Sequence, residues 1–215
     1  MAQRLHSETL RSTAAPSSVT GASDRHARLF NALADKWRDL QTERDWRWMR
    51  GLLDSALTVG QQTYTASDLG AERFRRWRPE DSSYWPFCYI DGSPNTLWSL
   101  DYWGLDQFRH HFIFRNLGRT TPIAWTWDEA NTLMVGPAPA LAYKIRIAYW
   151  KEPTELVADE DEPDMPSEFH LLLVWEALID IAMVDAAPEI LARAQRNRDA
   201  LKSRLVLDQA RLPHL

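Results

Sequence analysis

The side chains best suited to chemistry are few, and their spacing does not favour a reactive site. By residue type, His110 and His111 suit a metal ligand or a base. Adjacent residues diverge on either a helix or a strand, so the two rings do not converge on one ion. Cys88 lies in an apolar stretch, where a thiol is usually a small core residue and seldom a nucleophile. We interpret all three as structural residues.

Carboxylates are numerous enough for a glycosidase, which needs a pair of them across a cleft. Four acidic residues lie close in sequence to tryptophans in the middle of the chain: Asp101, Asp106, Asp128 and Glu129. Exposed tryptophans stack well on sugars, but the spacing of these carboxylates gives no specific support to a catalytic pair. A glycan-binding or muralytic protein is kept as the alternative function.

The sequences that usually mark catalysis or cofactor binding do not occur. There is no G-x-x-x-x-G-K-[ST], G-x-G-x-x-G, G-x-S-x-G, H-E-x-x-H or C-x-x-C. The acidic run at 159–164 lacks the alternating ligands, central glycine and twelfth-position glutamate of an EF-hand, so we interpret it as a solvated linker. We therefore expect no catalytic residue, no metal, no cofactor and no enzymatic activity.

The first secondary-structure element that the sequence predicts is a helix over about 24–41. Ser23 is a suitable N-cap, and apolar residues recur at three- and four-residue spacing: Phe30, Leu33, Trp37 and Leu40. Gly51 is available as a terminator at the end of this helical block. Residues 1–23 are rich in Ser, Thr and Ala, and we expect a mobile N-terminal arm there.

From Leu57 to Trp150 the sequence predicts six to eight short antiparallel strands. Turn residues follow short apolar runs, beginning with Leu57-Thr58-Val59 before Gly60. The clearest strand is Tyr143 to Trp150, because apolar and basic residues alternate along it. Between strands, Leu105 to Phe114 is predicted to form a short helix. We expect an inserted β domain over 56–155, followed by an acidic linker over 156–165.

Two helices are predicted near the C-terminus. Phe169 to Ala186 is apolar on nearly every side, with only Glu176 and Asp180 forming a polar stripe, so it should be the buried centre of a bundle. The second helix runs from Pro188 to about Leu212 and has one narrow apolar face. Neither terminal block is long enough for its own core. The predicted fold is therefore α+β, with residues 24–55 and 166–215 forming one discontinuous helical bundle around these core residues: Leu33, Trp37, Leu172, Trp175 and Ile179.

Composition excludes several classes of protein. The longest apolar stretch, Phe169 to Ala187, contains His170 and three carboxylates, so we expect no transmembrane helix and no membrane partner. No signal peptide is visible, and one cysteine cannot form an internal disulfide, which favours a reducing cytoplasm as the place of synthesis. Eleven tryptophans in 215 residues indicate aromatic-rich packing or contact surfaces.

Charge is distributed unevenly. Residues 1–50 hold nine Lys/Arg against six Asp/Glu, residues 51–187 hold ten against twenty-one, and residues 188–215 hold six against three. An acidic middle argues against gripping nucleic acid there, since phosphate contacts need clustered Lys/Arg. It suits a surface past which DNA slides without adhering.

The order of several short segments resembles the head-to-tail adaptor proteins of tailed bacteriophages over roughly residues 25–210. The segments that carry this resemblance are Asp45-Trp46-Arg47-Trp48-Met49, Leu57-Thr58-Val59-Gly60 with Tyr64 after it, Pro122, Met134-Val135-Gly136-Pro137-Ala138-Pro139, Ile145-Arg146-Ile147-Ala148-Tyr149-Trp150-Lys151 with Pro153, and Asp164-Met165-Pro166 with Phe169-His170. The resemblance implies a helical bundle with an inserted β domain and a structural role in the virion. It also implies a homo-oligomeric ring of twelve subunits between the portal protein and a downstream tail protein.

Together, the resemblance and the charge pattern predict which parts meet which neighbours. The acidic β domain should help to line or surround the DNA channel, with no sequence-specific binding of the DNA. The basic C-terminal helix should dock on the portal through Arg193, Arg196, Lys202, Arg204 and Arg211. A solvated helix face is the alternative interpretation of those basic residues.

Overall fold

The computed structural model describes residues 24–78, 86–115 and 117–210. They form two compact units. One, called here the helical unit, combines the described residues up to Trp48 with those from Pro153 onward, and the other, the β unit, spans Met49–Glu152. The chain is therefore of the mixed α+β class. The predicted N-terminal arm over 1–23 lies outside the described residues.

Three helices make up the described part of the helical unit: α1 (Asp24–Glu43), α3 (His170–Val184) and α4 (Pro188–Ala210). A 3-10 turn at Ser167–Phe169 leads into α3. Both α1 and α4 pack on α3, which is buried round most of its circumference, as its apolar sequence predicts. The expected core residues Leu33, Trp37, Leu172 and Ile179 are all buried.

Trp175, the fifth expected core residue, is only half-buried. The guanidinium carbon of Arg193 lies 5.8 Å from the centre of its ring, close enough for a cation–π contact. Trp175 therefore borders the bundle core and is covered in part by a charged side chain of α4.

The β unit contains eleven strands among its described residues, and four of them have only two residues. Their bounds are β1 (Arg50–Leu57), β2 (Thr63–Tyr64), β3 (Phe74–Trp77), β4 (Phe87–Ile90), β5 (Ser93–Ser99), β6 (Asp101–Tyr102), β7 (Arg119–Thr120), β8 (Ala124–Trp127), β9 (Leu133–Gly136), β10 (Ala138–Pro139) and β11 (Tyr143–Lys151). Between β6 and β7 lie the short helix α2 (Leu105–Phe108) and a π-helical turn at Arg109–Ile113.

The strands form two main sheets that share one core. The first has the order β1-β11-β4-β5, with β3 also pairing with β11, and the second has the order β2-β9-β8-β6. Ile145 and Ile147 of β11 pack in the same buried cluster as Leu133 and Val135 of β9 and Trp125 of β8. A parallel ladder of β7 and β10 completes the unit. Tyr143, Ile145, Ile147 and Tyr149 of β11 all face this core, as the alternation predicts, but the burial pattern alternates only up to Ile147, because Ala148 and Trp150 on the other face are buried as well.

The prediction for Gly51 was wrong. It lies inside β1, and Thr58 and Val59 fall in the turn after this strand. The ring of Tyr149, directly opposite Gly51 on β11, occupies the space beside its Cα: an added Cβ would lie 2.3 Å from the Tyr149 Cζ. A glycine is therefore needed here because an aromatic ring covers the strand, and not because a helix ends.

Candidate functional site

The basic residues predicted to dock on a partner are of two kinds in the structure. Arg193, Arg196 and Arg204 are exposed on α4, which turns its buried Ala194 and Leu205 toward the bundle. Lys202 is instead half-buried and engaged in ion pairs within the helical unit. Arg211 lies outside the described residues. The exposed surface formed by Arg193, Arg196 and Arg204 is called the arginine face.

Lys202 belongs to an ion-pair network that joins all three helices of the unit. Its Nζ lies 2.8 Å from Glu43 Oε2 on α1 and 3.6 Å from Glu176 Oε1 on α3. A second basic residue of α4, Arg198, lies 3.7 Å from the other carboxylate oxygen of Glu176. This network brings together Glu176, which is half of the polar stripe of α3, with one residue of α1 and two residues of α4. It therefore links the three helices of the unit.

The other half of the stripe is paired as well. Lys36 Nζ on α1 lies 2.7 Å from Asp180 Oδ2. The hydrogen bond from Lys36 to Asp180 raises the pKa of this lysine, and burial opposes the rise only in part. Lys36 therefore stays charged at neutral pH, and both carboxylates of the stripe are held in ion pairs.

A buried amide attaches the segment after the β unit to α1. Gln41, which is 1% exposed, donates from Nε2 to the carbonyl of Thr154 at 2.9 Å. Its Oε1 accepts from the Thr154 N–H at 2.8 Å, so both backbone groups of one residue are satisfied. Trp37 donates from Nε1 to the Thr154 hydroxyl at 3.2 Å. Neither Gln41 nor Thr154 could be identified from the sequence, because their hydrogen bonds join two segments that are distant in sequence.

The exposed carboxylates of the helical unit are concentrated between Thr154 and α3. Seven of them are exposed there: Glu155, Asp159, Glu160, Asp161, Glu162, Asp164 and Glu168. Asp161 closes a turn by accepting the backbone N–H groups of Ala158 and Val157 at 2.6 Å each, and these hydrogen bonds lower its pKa. We call residues 155–168 the acidic segment. Its turn geometry and its exposure agree with a solvated linker.

The excess of acidic residues lies outside the β unit. Residues 49–152 carry eleven Lys/Arg and eleven Asp/Glu, so the β unit has no net charge. Residues 153–187 carry ten Asp/Glu and no Lys/Arg. The expectation of an acidic β domain was therefore wrong, because the division at residue 187 assigned the acidic segment and α3 to the β domain.

His110 and His111 lie on the π-helical turn after α2 and line a groove of about 660 Å³. The remaining lining residues are Tyr102, Trp103, Asp106 and Gln107. The His111 ring packs 5.3 Å from that of Trp103, centre to centre. Among residues 24–78, 86–115 and 117–210, no cluster of three or more His, Cys, Asp or Glu side chains could hold a metal ion. The groove combines aromatic faces with hydrogen-bonding side chains.

The remaining residues that the sequence suggested for catalysis either shape a turn, are exposed or are buried in the core. Asp128 Oδ1 accepts the backbone N–H groups of Ala130 and Thr132 at 3.0 and 2.8 Å and so shapes the β8–β9 turn. Asp101, Asp106 and Glu129 are exposed. Cys88 is completely buried, and burial raises the pKa of its thiol to about 12, which keeps the unreactive protonated form at neutral pH.

The chain is similar to one family of known proteins. Over residues 7–214 the sequence matches the family model described as SU10 adaptor protein. No curated protein matches the sequence significantly. Within the part of the chain that the structure describes, no helix has the length and apolar character required to cross a bilayer.

Proposed function

We propose that the chain, which belongs to the SU10 adaptor protein family of phage head-to-tail adaptors, forms a ring between portal and tail through which DNA passes. As a member of this family it is a phage structural protein and a virion component. The observation that carries the proposal is the family match, which covers both units of the chain and not one module of it. A ring at the head-tail junction is the arrangement that lets one adaptor meet both a portal and a tail protein.

The acidic segment supports passage of DNA. Seven carboxylates are exposed in this segment, and residues 153–187 contain no Lys or Arg. One of the seven, Glu155, lies 3.7 Å from Arg38 of α1. A ring that turned this segment inward would present a wall with an excess of negative charge. Coulomb repulsion keeps the DNA phosphates from adhering to such a wall, with a range of about 10 Å at 0.1 M salt. The β unit, which carries no net charge, lacks this property as a whole.

The arginine face supports docking on the portal. Arg193, Arg196 and Arg204 are exposed, whereas Lys202 is already neutralised by Glu43 and Glu176. Exposed guanidinium groups suit carboxylates on a partner, because the planar group donates two parallel hydrogen bonds. We therefore assign docking to Arg193, Arg196 and Arg204, and assign Lys202 to the interior of the unit.

A pair of charge-reversal variants tests this assignment. The double variant Arg196→Glu with Arg204→Glu should fail to join portal-containing heads while remaining folded. Its matched control is Arg28→Glu with Arg38→Glu, which makes the same change in net charge at two exposed positions of α1. Head binding is measured by co-sedimentation, and folding is measured by circular dichroism. Equal binding by the two double variants would contradict docking through the arginine face.

Glycan binding is the second candidate function, and the groove beside Tyr102 is the observation that favours it. Tyr102 is 47% exposed, and it lines the groove together with Trp103, Asp106 and Gln107, so two aromatic side chains and two hydrogen-bonding side chains share one groove. Aromatic faces of this kind stack on sugars. Co-sedimentation with peptidoglycan, comparing the wild-type chain with Tyr102→Ala, tests binding, and a zymogram tests cleavage. No retention of the wild-type chain and no clearing would remove this function.

A further inference from the structure

The first sheet of the β unit ends in two strands that have no strand partner on their outer side among the described residues. Along the order β1-β11-β4-β5, β1 lies at one edge and β5 at the other, and the short strand β3 shares with β4 the side of β11 that faces away from β1. At eight residues, β1 is long for an edge strand, and all eight of them pair with β11 on the inner side. An edge strand presents a row of backbone N–H and C=O groups, which are a template for pairing with another chain.

The directions of the strands make the two edges complementary. Each neighbouring pair in the order β1-β11-β4-β5 is antiparallel. With four strands in this order, β5 runs opposite to β1. Two copies placed side by side in the same orientation therefore bring β5 of one copy next to β1 of the other as an ordinary antiparallel pair.

Exposed apolar side chains lie on both edges and on the same face of the sheet. Leu53 of β1 and Trp98 of β5 both pack on the shared core, so the neighbouring residues Leu52 and Leu97 point to the opposite face. Leu52 is 67% exposed and Leu97 is 46% exposed. In an edge-to-edge pair, these two leucines would lie on one face across the new junction and cover each other.

We propose that β1 of one copy pairs with β5 of the next copy, and that this repeated contact builds the ring. The proposal rests on the ring of the proposed function and specifies its interface. A contact between two different surfaces of the same chain can repeat from copy to copy, and it forms a ring when the rotation between copies closes, whereas a contact of β1 with β1 would stop at a dimer. Pro94 has no N–H to donate, which limits the ladder to the Asn95–Ser99 part of β5.

Charge placed on either edge should break this contact. The single variants Leu52→Lys and Leu97→Lys each change one exposed leucine, and each should lose the ring, since lysine on an edge strand opposes pairing. Leu141→Lys is the matched control, because Leu141 is 56% exposed and lies outside both edge strands. The double variant Leu52→Lys with Leu97→Glu should restore the ring, because opposite charges then meet across every junction.

Mixing the two single variants tests the two edges independently. Leu52→Lys keeps an intact β5 edge and Leu97→Lys keeps an intact β1 edge, so an equimolar mixture should stop at a dimer with one chain of each kind. Native mass spectrometry measures these species in the purified full-length chain, and electron microscopy measures rings on portal-containing heads. Circular dichroism of each variant establishes that it is folded.

The possible results separate this interface from the ring itself. If the wild-type chain forms no ring either alone or on heads, both the proposed function and the interface are overturned. If the wild-type chain and both lysine variants form rings equally, the ring stands and the β1–β5 interface is overturned. A Leu52→Lys defect that Leu97→Glu does not rescue would also overturn it, because the partner of β1 would then be another surface.

Discussion

Replacing Gln41 tests the contact that attaches the chain after the β unit to α1. In Gln41→Leu the side chain keeps a similar volume but loses both hydrogen bonds to Thr154, which measure 2.9 and 2.8 Å. The Thr154 N–H and C=O are then left without these partners in a half-buried position. An unsatisfied buried polar group costs about 1–3 kcal/mol, so two groups with partial access to water should cost about 2–4 kcal/mol.

Thermal unfolding followed by circular dichroism at a helix-sensitive wavelength measures this loss. For a chain of this size, 1 kcal/mol lowers the Tm by about 2–4 °C, so Gln41→Leu should lower it by about 4–16 °C. Thr42→Ala is the matched control on the next residue. The Thr42 hydroxyl is exposed and bonds only to carbonyls of its own helix, and its loss should change stability by no more than about 0.5 kcal/mol. If the two variants had the same Tm, Gln41 would contribute nothing to holding this segment.

Two further predictions concern the β unit. Gly51→Ala should destabilise it by about 1–3 kcal/mol in urea titration, because the new Cβ overlaps the Tyr149 ring, and the loss should shrink in a Tyr149→Ala background. Burial disfavours ionisation of Asp54, but hydrogen bonds from Arg146 and Tyr89 outweigh burial and lower its pKa. A carboxyl with a lowered pKa stabilises the fold at neutral pH and loses that contribution as the pH falls through the lowered value, so wild type should lose more stability than Asp54→Asn between about pH 5 and pH 2. Parallel acid titrations of the two proteins would contradict this.

The sequence predicted the elements in which the pattern of apolar residues is clear. Helix α3 was predictable because apolar residues surround it, and β11 because Tyr143, Ile145, Ile147 and Tyr149 alternate with other residues and face the core. Strand β1 was missed for the opposite reason. Its inner face contains Gly51 and Ser55, and its outer face contains the exposed Leu52, so the alternation of apolar and polar residues is broken. A strand shaped by a neighbouring ring on one face and left uncovered on the other has no clear period in sequence.

Only the basic composition of the candidate site could be predicted from the sequence. The sequence shows that the C-terminal helix is basic, but not that Lys202 is paired while Arg196 and Arg204 are exposed. That difference depends on Glu43 and Glu176, which belong to two other helices. For the same reason, the contact of the half-buried Trp175 with Arg193 of α4 could not be read from the apolar pattern of α3. Contacts between distant segments leave no local signal in sequence.

The ion pairs of the helical unit bring together opposite charges from different helices. Lys36 pairs with Asp180 and Lys202 pairs with Glu176, so these four side chains carry no net charge as a group. Among the other charged residues of the unit, the arginine face of α4 is exposed and positive, and the acidic segment is exposed and rich in carboxylates. Since charges farther apart than about 10 Å are screened at ordinary salt, each exposed surface acts on whatever lies directly against it. A single net charge for the chain therefore describes neither surface: the arginine face favours an acidic protein partner, and the acidic segment repels a polyanion such as DNA.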